Sequence, residues 1–366
     1  MTQIAPVLPV YDGPGLANLM PALLGAGDRS WLPEPCASAR ATVLLVIDGL
    51  GWDAILARKI ELPVLNSLVG GPISSVVPST TAAALTSITT GTTPAQHGLI
   101  GYRIRVDGSV LNVLSWHFQD RQPPDPNSVQ RIAPFRGQPV PVVTKSEFAR
   151  SGFTEAHLRG ALFSGWRTTS TLIQECVRSS VSGAPLTYAY YPGVDEVAHQ
   201  YGLENDFYEA ELRFVDHMVG DLLAALPPDC ALLITSDHGQ VNLGPNSWRD
   251  LGDISGLVDA CSGDGRFRYL HARRGMAKEL LEGAKAIHGE YAWIRSKEEL
   301  LDDGWLGSAP STAVARRIGD VVMAARGDAA FIDPKLPGEA RLRSAHGSLT
   351  AAEMQVPLLS LPGQSL

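Results

Sequence analysis

Ala41-Thr42-Val43-Leu44-Leu45-Val46-Ile47-Asp48-Gly49 is the stretch that decides the fold of this 366-residue chain. A continuous apolar, β-branched run with no polar alternation is the pattern of a strand buried on both faces. Gly49 and Gly51 end it. An aspartate directly after such a strand stands at its carboxyl end, where open α/β sheets gather their ligands.

The arrangement recurs along the chain. Leu186 to Tyr191 reads as another buried strand, followed after a short loop by Asp195-x3-His199. Leu232 to Thr235 reads as a third, running into Ser236-Asp237-His238-Gly239, and Ala345-His346-Gly347 lies near the C-terminus. Asp48, Asp195 and Asp237 supply three carboxylates; His199, His238 and His346 supply three imidazoles. That is enough to ligate two divalent cations of zinc type, and a set so rich in aspartate also suits manganese. The Asp195–His199 spacing puts both side chains on one helix face. Adjacent Asp237 and His238 share a cation only if the backbone turns sharply, which Gly239 permits.

Between these segments, Ile73 to Val77 reads as a strand broken by Pro78 and Ser79. Thr81 to Thr90 reads as a helix stopped by Gly91. Thr80 and Thr81 both suit the start of that helix. Either hydroxyl becomes a nucleophile if a bound dication lowers its pKa, and the helix N-terminus offers N–H groups to a phosphate oxygen. Two cations beside an activated hydroxyl are a design for phosphoryl transfer.

Further on, Phe207 to Leu226 has a helical apolar face. Phe267 to His271, Met276 to Ile287 and Ala292 to Arg295 suggest a β-α-β unit, and Asp320 to Ala325 a late strand. Strands alternating with helices predict an α/β fold with a mostly parallel central sheet and helices on both faces. Residues 1–366 read as a single catalytic domain. Within it, residues 102–170, rich in proline and scattered aromatics such as Trp116, Phe118 and Phe135, are expected to form a cap or insert over the active face.

Apolar residues make up 45% of the chain, ample for a large core. The net charge is −8 and no basic run appears, so a nucleic-acid polymer is not an expected partner. Metal cations would supply the positive charge that a small phosphate ester needs. Cys36, Cys176, Cys230 and Cys261 have irregular spacing and no C-x-x-C pair, which fits a reducing compartment. No basic n-region precedes Arg29 and no apolar run is long enough to span a membrane, so a cytoplasmic protein without membrane contact is expected. His97 reads as a supporting residue; His117, His157, His217, His271 and His288 read as structural or surface residues.

Taken in order, these segments resemble the type I phosphodiesterase/nucleotide pyrophosphatase family of the alkaline phosphatase superfamily. The likeness runs from about Val43 to Leu359. It rests on Asp48 after the first strand, Pro78 with Thr81 opening a helix, and Thr90 through Gly98 as Thr-Gly-x-x-Pro-x-x-His-Gly. Asp195 with His199, Asp237-His238-Gly239, and His346-Gly347 complete it. The resemblance implies the superfamily's core fold and a two-zinc site, with Asp48, Asp237, His238 and Thr81 around one ion and Asp195, His199 and His346 around the other. It selects Thr81 over Thr80 as nucleophile, acting through a phosphothreonine intermediate. It departs at Tyr102, where the family's phosphodiesterases hold a phosphate oxygen with an asparagine. Tyr102, with Arg103, is the expected substitute. The implied activity is hydrolysis of phosphodiester bonds in a small-molecule substrate; the alternatives are phosphomonoesterase, phosphonate hydrolase or phospho-transferase chemistry at the same site, or a non-catalytic metal- or phosphate-binding protein.

Overall fold

The computed structural model describes residues 5–363. Its centre is a seven-stranded sheet in the order Val69–Ser74, Gln355–Pro362, Cys230–Thr235, Ala41–Ile47, Leu186–Tyr191, Pro141–Lys145, Leu162–Trp166. The five strands from Cys230–Thr235 to Leu162–Trp166 pair in parallel. Gln355–Pro362 runs antiparallel to both of its neighbours.

Ala41–Ile47 lies at the middle and is buried at every position. Its side chains alternate between faces, as the pleat requires. Leu44 and Val46 join the core that includes the Thr81–Thr90 helix. Val43, Leu45 and Ile47 join a second core, shared with the Thr169–Val181 and Asp206–Ala225 helices. Helices on both faces follow directly from a strand that is apolar on both sides.

Two sequence readings need amending. The 102–170 segment is not a single insert. Pro141–Lys145 and Leu162–Trp166 are strands of the central sheet, joined through the Gly152–Leu158 helix. Pro139 and Pro141, just ahead of Val142, Val143 and Thr144, hid a strand whose middle is buried. The remainder includes a hairpin of Arg103–Val106 and Ser109–Asn112. Second, the elements between 258 and 325 do not extend the parallel sheet. Val258–Gly263, Phe267–Ala272, Val321–Ala325 and Ala292–Ser296 form a separate antiparallel sheet, in that order. Among the described residues no helix is long and apolar enough to cross a membrane.

Candidate active site

Each of the three aspartates leaves the carboxyl end of a central strand. Asp48 follows Ile47, and Asp237 follows the Cys230–Thr235 strand by one residue. Asp195 lies in the first turn of the Gly193–Tyr201 helix, just after Leu186–Tyr191. These three strands are neighbours, so the carboxylates converge. Two glycines let the loops close. Gly49 has φ +75°, and a Cβ there would lie 2.4 Å from Gln240 Nε2 and 3.1 Å from the Asp195 Cα. A Cβ on Gly239 would lie 1.9 Å from the Ala352 carbonyl oxygen.

The histidines are fixed by backbone carbonyls. Nδ1 of His238 lies 3.1 Å from Gly239 O, Nδ1 of His199 2.8 Å from Ser344 O, and Nδ1 of His346 3.0 Å from Ser79 O. A carbonyl can only accept, so each Nδ1 carries the proton and each Nε2 keeps its lone pair. This is the arrangement that orients metal-ligating histidines. Nε2 of His238 stands 3.4 Å from Asp48 Oδ1 and 3.4 Å from Asp237 Oδ2; Nε2 of His199 stands 3.3 Å from Asp195 Oδ1. The His238 and His346 rings stack with centroids 3.5 Å apart.

Two groups have ligand atoms all within 4.8 Å of one another: Asp48, Asp237 and His238, and Asp195, His238 and His346. His238 thus stands between the two halves. His199 adjoins the second through Asp195, and Nε2 of His346 lies 3.8 Å from Asp195 Oδ1. The residues fit a cation site on their own chemistry. Asp48 Oδ1 and Asp237 Oδ2 are buried and have no hydrogen-bond partner. Lone pairs on nitrogen and oxygen facing each other across these gaps repel, and a cation between them reverses the sign. Burial, then the charges of Asp237 and Asp195, push the Asp48 carboxyl well above the usual range; burial likewise raises Asp237. Burial, then His238 and His199, hold His346 well below the usual imidazole value.

Thr80 takes the N-cap position and Thr81 is the first helical residue. The Oγ1 of Thr81 lies 3.2 Å from His238 Nε2. The Oγ1 of Thr80 is buried without a partner. Two cavities flank Thr81. One, of about 380 Å³, is lined by Thr81, Asp195, His199, His346 and Tyr102. The other, of about 200 Å³, is lined by Asp48, Thr81, Phe148, Phe153, Tyr188 and Tyr190.

Tyr102 borders the larger cavity, and its hydroxyl accepts from Asn112 Nδ2 at 2.7 Å. Arg103 does not reach the site. It is buried in an ion pair with Asp333, which is itself 1% exposed, because its side chain leaves the hairpin toward the protein interior. Sequence reasoning also missed supporting residues. The Tyr190 hydroxyl donates to Asp48 Oδ2. Gln240 Nε2 donates to Asp195 Oδ1 at 2.8 Å, while Gln240 Oε1 accepts from the Ser344 hydroxyl. Gln240 directly follows the Asp-His-Gly segment, the only signal that could have marked it. His97 packs within the fold, its Nε2 2.9 Å from Ser87 Oγ and its Nδ1 accepting from Leu99 N.

A family model for type I phosphodiesterase / nucleotide pyrophosphatase matches residues 42–349. The chain belongs to this family. It is thereby a hydrolase acting on phosphoric ester bonds, with a fold of the alkaline phosphatase superfamily and residue groups able to bind a metal. Murine ectonucleotide pyrophosphatase / phosphodiesterase 5 superposes with a TM-score of 0.69 at 14% identity, over 89% of this chain and 90% of that one. The human protein of the same name gives the same values. Phosphonoacetate hydrolase from Sinorhizobium meliloti 1021, in complex with phosphonoformate, superposes with a TM-score of 0.64 at 18% identity, over 90% and 91%. No curated protein matches the sequence.

Proposed function

We propose that this protein is a metal-dependent phosphodiesterase that uses Thr81 as its nucleophile and two divalent cations, zinc by ligand type. Asp48, Asp237 and His238, with the Thr81 hydroxyl beside them, would hold one ion; Asp195, His199 and His346 would hold the other. The ions supply Lewis acidity toward the hydroxyl and the phosphoryl oxygens. The observation that carries the reading is the position of Thr81: its hydroxyl meets His238 of the ligand cluster, and the residue lines both cavities.

The chain's own residues account for the rest. The first N–H groups of a helix have no partner inside it, and Ala82, next to Thr81 in the first turn, lines the larger cavity, where such groups would meet a phosphoryl oxygen. Thr81 Oγ attacks phosphorus as the bond to the leaving alcohol breaks, the hydroxyl proton ending on that alcohol, and the product is a threonine-linked phosphodiester that keeps the second substituent. Water then displaces Thr81 in a second in-line step. The carbonyl-anchored histidines and Gln240 hold the ligand set rigid throughout.

Two features favour a diester over a monoester. Two cavities meet at Thr81, one for each substituent on phosphorus. No lysine or arginine lines either cavity among the described residues, whereas a dianionic monoester calls for added positive groups. A variant of the murine protein named above, described as inactive with a threonine replaced by alanine, is known in complex with AMP, which is compatible with a nucleotide-sized group in such a site. Hydrolysis of bis-p-nitrophenyl phosphate beside p-nitrophenyl phosphate, with zinc and with chelator, tests the reading. A diester preference abolished by chelator and restored by zinc is expected; a monoester preference, or activity indifferent to metal removal, overturns it.

A further inference from the structure

We infer that the larger cavity is a leaving-group subsite built for a cationic or hydrogen-bond-donating alcohol, such as an amino alcohol, and set against anionic leaving groups such as pyrophosphate or a carboxylate. The inference rests on the diesterase reading above and narrows its substrate class.

The cavity has two unlike ends. One carries Asp195, His199 and His346, the residues assigned to the second cation. The other is walled by Trp248, Asp264 and Glu339. Each of these three brings a buried polar atom without a hydrogen-bond partner: Trp248 Nε1, Asp264 Oδ2 and Glu339 Oε1. Buried polar atoms are rarely left unpaired, and Nη1 of Arg268, the residue ion-paired to Glu339, is a further one, so the wall behind this end of the cavity is polar and suits a polar occupant.

The charges decide what that occupant is. Arg268 is ion-paired to Glu339, so that pair is neutral. Asp264 makes no ion pair of its own among the described residues, although the charge of Arg268 acts on it. Its Oδ1 accepts only from backbone N–H groups, Arg266 N at 3.0 Å and Phe267 N at 3.1 Å. Burial pushes its carboxyl up to about 7, a cost that an opposing charge in the cavity would offset. Asp264 is held beside the reacting end of the cavity by Gly347, which neighbours His346. Gly347 has φ +126°, and a Cβ there would lie 2.4 Å from Asp264 Oδ1. The Trp248 ring covers Gly265, where a Cβ would lie 2.7 Å from the ring edge, giving a flat wall. A pyrophosphate or carboxylate would meet the Asp264 carboxylate, while the nearby Arg268 is already ion-paired to Glu339 and no lysine or arginine lines the cavity among the described residues. An ammonium or hydroxyl would meet acceptors. The smaller cavity, with Phe148, Phe153, Tyr188 and Tyr190, is left for the group retained on phosphorus.

The test uses methyl phosphodiesters of three phenols bearing a para trimethylammonium, nitro or carboxylate group, with the zinc-loaded protein. The ratio of kcat/KM for the cationic over the anionic ester is compared in wild type and Asp264→Asn. Taking the ratio of ratios cancels the differing acidity of the phenols. It should fall about tenfold or more in the variant, as expected for a charge a few ångströms away near a protein surface. A ratio unchanged by the substitution overturns the subsite. No turnover of the neutral nitrophenyl ester by wild type would instead overturn the diesterase reading itself. Should Asp264→Asn not fold, product inhibition of wild type decides. The trimethylammonium phenol should inhibit more tightly than 4-hydroxybenzoate, and equal or reversed order overturns the inference.

Discussion

Replacing Gln240 by alanine should loosen one cation and spare the other. Gln240 is 6% exposed and joins two ligand-bearing segments: its amide donates to Asp195 Oδ1 at 2.8 Å and its carbonyl accepts from the Ser344 hydroxyl. Ser344 in turn gives its backbone carbonyl to His199 Nδ1. The substitution therefore frees Asp195 directly and His199 through Ser344, both on the second cation site. A hydrogen bond to a charged group contributes about 1.5–3 kcal/mol, and lost partners of metal ligands typically cost about 10–100-fold in affinity. Asp48 and Asp237 make no hydrogen bond to Gln240; they accept from the Tyr190 hydroxyl and from Gly49 N, respectively. Calorimetric zinc titration of the metal-free protein should show two binding steps, with one step shifted about tenfold or more and the other nearly unmoved. Two unshifted steps would refute the reasoning. Equal loss in both steps would show a general collapse of the site rather than a local role.

Thr81→Ala should lower diester turnover by at least about a thousandfold with folding stability within about 1 kcal/mol of wild type, while Thr80→Ala keeps most activity; steady-state assays and urea melts check both. Tyr190→Phe removes the hydrogen bond to Asp48 Oδ2 and should weaken the first cation about tenfold, read by competition with a zinc indicator. Asp264 gives a pH prediction for the metal-free protein. Its folded value, about 7, lies above the ordinary 3.8, so the folded state binds the extra proton. Its contribution is most favourable below 3.8 and is lost as pH rises through 7. The melting temperature of Asp264→Asn relative to wild type should therefore be higher at pH 8 than at pH 4, roughly the reverse of what a salt-bridged aspartate would give.

Much of the fold was legible where burial is two-sided. The strands Ala41–Ile47 and Leu186–Tyr191 and the helix Thr81–Thr90 fall where the sequence put them, because a fully buried element carries an unbroken apolar or small-residue run. Strands that break that rule were misread. Val69–Ser74 contains Gly70, Gly71 and Pro72 and lies at a sheet edge, where such residues are tolerated, so the apolar residues after it drew the reading downstream to start at Ile73 instead of Val69. Gln355–Pro362, with prolines at 357 and 362, was not read as a strand at all, although it sits inside the sheet. In the 258–325 sheet the β-α-β reading holds in direction, since Phe267–Ala272 and Ala292–Ser296 run the same way across their helix; Val321–Ala325 inserts between them antiparallel, and that pairing leaves no local trace.

The candidate site divides in the same way. Its aspartates and histidines stand out because they follow strands in short, distinctive segments. What fixes them does not. Gly239 O, Ser344 O and Ser79 O act through the backbone, which any residue could supply. Gln240, Tyr190 and Asp264 reach the site from elements far apart in sequence. Arg103 is assigned to substrate on its charge and its place beside Tyr102, whereas that charge is consumed by Asp333, 230 residues later in the chain.

The central claim is that Thr81 carries the phosphoryl group between two displacements. The stereochemical course at phosphorus tests it most directly. A diester made chiral by sulfur, hydrolysed in oxygen-18 water, should yield product with overall retention of configuration, the sum of two inversions. Overall inversion would mean that water attacks the substrate directly, and Thr81 would then have no covalent role.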